Sequence, residues 1–317
     1  MLTAFLTTLQ EMGRILLFLV VGFGLNRLHI LPKGAGAGIS RIVTMVFLPS
    51  LLLHSNMTEF NLADVGNYSQ LVLMGCLLWT VITVLCLPIA KKLSGGSYLE
   101  RGVYLYGLSF PNTGAISMPL ALALLGSYGL FQLNLFLLSF SIMTYAWGVN
   151  LFLDTERKNP IKRFFVHLLN PVFISMTIGL TLGAVGAKHW MPLLIINFVG
   201  DLSSCFVPLS LLLTGYTIAD YPLGEVFNRP KSYIFTLLRL IIIPAFALVI
   251  TWLLGGNLFM ATLVVLTFSC PSGMNVVVFP ASYGQDCKTG ASIVLLSCLG
   301  SVITVPILYA LVQQLFG

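Results

Sequence analysis

Two stretches of this sequence carry polar side chains of the kind that hold a ligand. Residues 109–119 read SFPNTGAISMP, and residues 269–280 read SCPSGMNVVVFP. The first offers Ser109, Asn112, Thr113 and Ser117; the second offers Ser269, Ser272 and Asn275, with Gly273 among them. Neither contains an acid or a base, so neither is equipped for proton transfer. Amides and hydroxyls hydrogen-bond instead, and an anion such as a carboxylate suits their donors. Prolines bracket both stretches: Pro111 and Pro119 in one, Pro271 and Pro280 in the other. Proline removes a backbone donor and clashes with the preceding turn. Two prolines so close, with glycine between them, predict a helix that opens.

The rest of the chain says where that opening lies. Hydrophobic residues make up 57% of the 317 positions, charged residues 8%, and mean hydropathy is +0.97. A soluble domain carries about 25% charged residues, so the lipid bilayer is the solvent here. A spanning helix needs about 20 mostly apolar residues. Ten segments qualify: 5–26, 36–57, 68–90, 102–125, 130–153, 165–186, 192–218, 232–255, 258–283 and 289–314. They are too long for barrel strands and lack two-residue alternation. The expected fold class is an all-α membrane protein of ten transmembrane helices. The two proline-bracketed stretches fall in the fourth and ninth. Backbone groups freed at mid-membrane are tolerated only where they line a cavity or are buried in protein.

The net charge of +6 does not point to nucleic acid. Thirteen Lys and Arg residues lie in or beside the connections on one side, from Arg27 to Lys288, against Lys188 alone on the other. That bias places the first side in the cytoplasm of a cell membrane, with both termini outside. The six cysteines have no paired spacing and read as small apolar residues, with no metal or cofactor implied. No basic region precedes the first apolar stretch, so it reads as a retained helix.

The polar connection at 154–164 divides the chain into residues 1–153 and 165–317, five segments each. An odd number per half inverts the second half relative to the first. Prolines recur across the halves: Pro32 with Pro192, Pro49 with Pro208, Pro111 with Pro271, Pro119 with Pro280, at offsets of 160, 159, 160 and 161. This predicts an inverted repeat. Interrupted helices at equivalent positions point to a transporter's binding site, with helix N-termini aimed at an anion.

Other residues invite a functional reading. Asp201 lies deep in the seventh segment and is a coupling or structural carboxylate. His54 in the second could titrate or pack. Glu11 and Arg14, three apart, are expected to pair. Arg239 is expected to snorkel to the cytoplasmic surface, with an anion-holding role as the alternative.

SFPNTGAISMPL, SCPSGMNVVVFPASYGQD and the final ASIVLLSCLGSVITVPILYALV resemble the auxin efflux carrier family, which includes the PIN-formed carriers. RIVTMVFLPSLLL and VPLSLLLTGYTIA are similar to it as well. The short central connection looks like that of a bacterial or archaeal member. The resemblance implies a fold shared with sodium/proton antiporters and bile acid symporters, with the fourth and ninth helices crossing at their breaks. It implies a scaffold of helices 1, 2, 6 and 7 that forms a homodimer, and a transport domain of helices 3–5 and 8–10 that moves as an elevator. It also implies that asparagines beside the crossing prolines hold the substrate carboxylate. Asn112 directly follows Pro111, whereas Asn275 lies four residues after Pro271.

The absence of an acidic pair in the broken helices leaves sodium coupling unsupported. No HExxH motif and no membrane Asp pair suggest an enzyme. The expectation is a carrier of small organic anions, mono- or dicarboxylates such as malate, malonate or indole acids. A channel-like or sensory membrane protein of the same fold is the alternative.

Overall fold

The computed structural model describes residues 2–32, 34–144, 170–221, 224, 227–282 and 287–317. The 154–164 connection and the segment ends beside it lie outside the described residues. Among the described residues the chain is helical, with no strand beyond one isolated bridge. Eleven helical stretches follow in chain order: α1 Leu2–Arg27, α2 Ala35–Glu59, α3 Val65–Leu93, α4 Tyr98–Ser109, α5 Thr113–Met143, α6 Pro171–Ala184, α7 Leu193–Ile218, α8 Pro230–Leu253, α9 Leu258–Phe268, α10 Asn275–Ser282 and α11 Lys288–Leu315.

Seven spans among the described residues are long and apolar enough to cross a membrane; α6 and α9 are shorter apolar helices. The protein is a multi-pass membrane protein. Its outer faces carry bare apolar side chains, with Leu194 81% and Leu73 68% exposed. Lipid covers such a surface, whereas water would drive it to associate.

Local signals explain the boundaries. Ser97 caps α4, its side chain accepting from Glu100 N at 3.3 Å. Asn257 caps α9 through Met260 N at 2.9 Å, and Asn170 caps α6 through Phe173 N at 2.8 Å. Gly126 interrupts α5 with φ 69° and ψ −168°, a conformation open in practice to glycine.

Three wide π-helical turns each precede a proline by two residues. Val43–Phe47 stands before Pro49, Thr113–Ser117 before Pro119, and Leu238–Ile242 before Pro244. Proline clashes with the carbonyl four residues back and leaves it without a donor. A turn closed by i→i+5 bonds widens the helix at that point, so the chain continues. This corrects the expectation that both prolines of a bracketed pair break their helix. Pro119 lies behind its π turn at the start of an α-helical run, and Pro280 lies inside α10. The gaps fall at Pro111 and Pro271.

Packing sorts the helices. α1 lies on α7, and α2 on α6 and α7. α3 lies on α4 and α5, while α8, α9 and α11 pack together. α1 also touches α11. Backbones meet directly where α1 crosses α7. A Cβ added at Gly22 would collide with the carbonyl of Leu212, and one at Gly215 with that of Leu19. Only glycine allows that approach.

Candidate functional site

Helix α4 ends at Ser109 and α5 begins at Thr113. Helix α9 ends at Phe268 and α10 begins at Asn275. The two short gaps lie against each other as an antiparallel pair, Pro111 opposite Ser272. Asn112 N donates to Pro271 O at 2.8 Å, and Gly273 N to Phe110 O at 3.3 Å. Each interrupted segment thus supplies partners for backbone groups freed in the other, which answers the cost of breaking a helix in lipid. Ser272 N donates to Ser297 Oγ of α11 at 3.1 Å, which fixes the gap from behind. A Cβ at Gly273 would come within 3.3 Å of Pro111 O, so the pair approaches closely there.

A cavity of about 610 Å³ opens beside this pair. Asn112, Thr113, Gly273 and Asn275 line it on one side. Ser40 and Thr44 of α2 and Ser210, Thr214 and Thr217 of α7 line it on another, with Asp220 also contributing. Lys, Arg and His are missing from its lining among the described residues.

Asn112 has two tasks in this geometry. Its Oδ1 accepts from Ala115 N at 3.3 Å and caps the first turn of α5. Its Nδ2 is buried and has no partner among the described residues. A buried amide donor left unmet is costly unless a ligand meets it. Asn275 is held differently: its Nδ2 donates to the Tyr106 hydroxyl of α4 at 2.8 Å.

The threonine hydroxyls of this wall act as acceptors. Thr44 donates to Ser40 O and Thr214 to Ser210 O, each at 2.8 Å, and Thr217 donates to Leu213 O at 2.9 Å. Their protons are committed to their own helices, so lone pairs face the cavity. Donors open to a ligand include the Asn112 amide and the N-terminal turns of α5 and α10. Each such terminus carries a partial positive charge of about half a unit.

The other candidate residues lie elsewhere. Ser117 is fully buried and off the cavity lining, and Ser272 sits within the paired gaps, also fully buried. His54 is half-buried against Gly200 between α2 and α7, and Asp201 is exposed on α7. Neither lines the cavity. Glu11 and Arg14 do pair, at 2.9 Å. Arg239 does not snorkel: it is fully buried, with Nη1 donating to Leu108 O at 3.1 Å. The α8 backbone points its side chain inward, at the carbonyls that end α4.

Sequence reasoning missed the wall from α2 and α7, although a signal was present. Ser40 with Thr44, and Ser210 with Thr214, stand four apart and share a helix face. Tyr106 left no such trace, because its partner Asn275 lies 169 residues away.

Comparison with known proteins places the chain among transporters. An uncharacterized transporter of Methanothermobacter thermautotrophicus is 27% identical over 325 residues, covering 96% of this chain and 98% of that protein. An uncharacterized transporter of Methanocaldococcus jannaschii is 22% identical over 297 residues, covering 92% and 94%. The sequence model of the family described as membrane transport protein matches residues 7–309. The family is one of transporters and not of enzymes. The chain belongs to this membrane transport protein family, that of the PIN-like auxin efflux carriers.

Proposed function

We propose that this protein is a carrier of small organic anions in the cell membrane, with the cavity beside the paired gaps as its substrate site. The observation that carries the reading is the unmet Nδ2 of Asn112, buried at the cavity wall and flanked by two helix N-termini. A carboxylate satisfies that donor and both positive ends together. The opposite wall offers acceptors, so a second donor on the substrate finds partners there. Mono- and dicarboxylates that also carry a hydroxyl or N–H, such as malate or an indole acid, fit both walls; malonate tests the carboxylate contact alone.

In this reading the two five-segment halves, residues 1–153 and 165–317, form an inverted repeat whose fourth and ninth helices cross at mid-membrane. The pairing of Pro111 with Ser272 supports it. Helices α1, α2, α6 and α7 make a scaffold that dimerises. The remaining helices carry the gaps past it as an elevator. The cavity lies between these two groups, as alternating access requires. The termini lie outside, and Asp201 and His54 stand off the substrate path.

The test is uptake into liposomes holding the purified protein. Saturable uptake of a labelled carboxylate, accelerated by unlabelled carboxylate on the opposite side, is expected. It should persist when potassium replaces sodium. Flux that never saturates and shows no exchange points instead to a channel and refutes the carrier.

A further inference from the structure

The guanidinium of Arg239 stays charged at any physiological pH. Burying such a charge demands a counter-charge or a full set of acceptors. Arg239 is fully buried, yet its Nε and Nη2 have no partner among the described residues. The ion pair those residues do hold, Glu11 with Arg14, lies on α1. Thiols of Cys86 and Cys270 are close by.

What faces the guanidinium is the end of a helix. Leu108 and Ser109 close α4, and their carbonyls accept from Arg239 Nη1 and from Trp79 Nε1, both at 3.1 Å. Cys270, beside Arg239, lies two residues past the end of α9. The side chain therefore stands at the C-termini of both helices that lead into the gaps. Each C-terminus carries about half a negative charge, and each N-terminus about half a positive one. Four such ends meeting at one place cancel. A single buried guanidinium balances the two negative ends and leaves the positive ends of α5 and α10 free to act on the cavity.

We infer that Arg239 sets the charge selectivity of the site without touching the substrate. It is absent from the cavity lining. It acts as a fixed internal cation that turns an electrically neutral junction into one that favours anions. The inference rests on reading the cavity as an anion site.

The experiment compares purified parent, Arg239→Gln, Arg239→Lys and Cys86→Asp by thermal-shift titration. The probes are malonate, malate and the uncharged malonamide, with folding checked by monodisperse elution. A unit charge roughly 10 Å away, at an effective dielectric of about 20, changes the affinity of an anion about tenfold. Arg239→Gln is expected to weaken binding of both carboxylates by about that factor and to leave malonamide unchanged. Arg239→Lys keeps the charge and should stay within about threefold of the parent. Cys86→Asp places a carboxylate beside the guanidinium, cancels its field and keeps its packing, so it should lose carboxylates as the Gln variant does. If Arg239→Gln does not fold, Cys86→Asp decides. Folded variants that bind carboxylates as tightly as the parent overturn the inference, as does an equal loss for malonamide. A parent that binds no carboxylate overturns the anion site itself, and this inference with it.

Discussion

Asn112 separates stability from binding, because one end of its amide serves the fold and the other is unmet at the cavity wall. Its Oδ1 caps α5 through Ala115 N, while its Nδ2 is unmet. Asn112→Ala removes both. Losing an N-cap costs about 1 kcal/mol of stability. Losing a hydrogen bond to a charged group costs about 1.5–3 kcal/mol of binding, or roughly tenfold to a hundredfold in affinity. Asn112→Asp behaves differently. Aspartate is as good an N-cap as asparagine, and its charge suits a helix N-terminus. The fold should therefore hold, while the new carboxylate repels an anionic substrate. The expected order of thermal stability without ligand is Asp equal to or above Asn, then Ala. The expected order of carboxylate affinity is Asn, then Ala, then Asp.

The assay is one thermal-shift series on purified protein. The ligand-free midpoint reports the cap, and the shift with malonate or malate reports the site. The crossed orders make the reasoning refutable, since a variant that merely misfolds would lose both quantities together. If Asn112→Asp binds the carboxylates as tightly as the parent, no anion is held at this junction. If Asn112→Asp is instead far less stable than Asn112→Ala, the cap is misjudged.

Two further outcomes follow from the packing and the charge pattern. Gly215→Leu should lower the unfolding midpoint by several degrees, because a Cβ there meets the backbone of Leu19 and neither helix can yield without parting from the other; an unchanged midpoint refutes the direct contact of α1 with α7. A cysteine placed near residue 158, in a background without Cys287, should resist a membrane-impermeant thiol reagent in intact cells, and rapid labelling there refutes the cytoplasmic side assigned from Lys and Arg.

The sequence made the membrane, most of the spans and the two gaps legible, each for a local reason. Apolar runs of spanning length announce themselves, and Pro111 and Pro271 remove donors wherever they stand. Which proline of each pair opens the helix was not legible. A π turn that lets Pro119 continue α5 depends on how Thr113–Ser117 settle after the gap, and no residue type dictates it. Arg239 was misread for a related reason. Snorkelling is the sound expectation for an arginine near a helix end, but it presumes that the side chain faces lipid. Its direction is set by packing of α8 against α4 and α11, contacts between residues far apart in the chain.

Arg239 also has an unlike partner at the junction. At the 160-residue offset that relates Pro111 to Pro271, its counterpart is Trp79. Both side chains are fully buried, and both donate to the last carbonyls of α4. Trp79 packs against Phe268, the final residue of α9, at 4.8 Å between ring centroids. One position thus holds a neutral donor with a large apolar ring, and the other a charge. Two guanidiniums would repel each other across the junction and over-compensate the helix ends; two indoles would leave the four ends cancelling. A single charge is the number that balances two half-unit negative ends. On the proposed reading the junction gains its polarity from this one unlike pair, and a change of sign in the preferred substrate begins there.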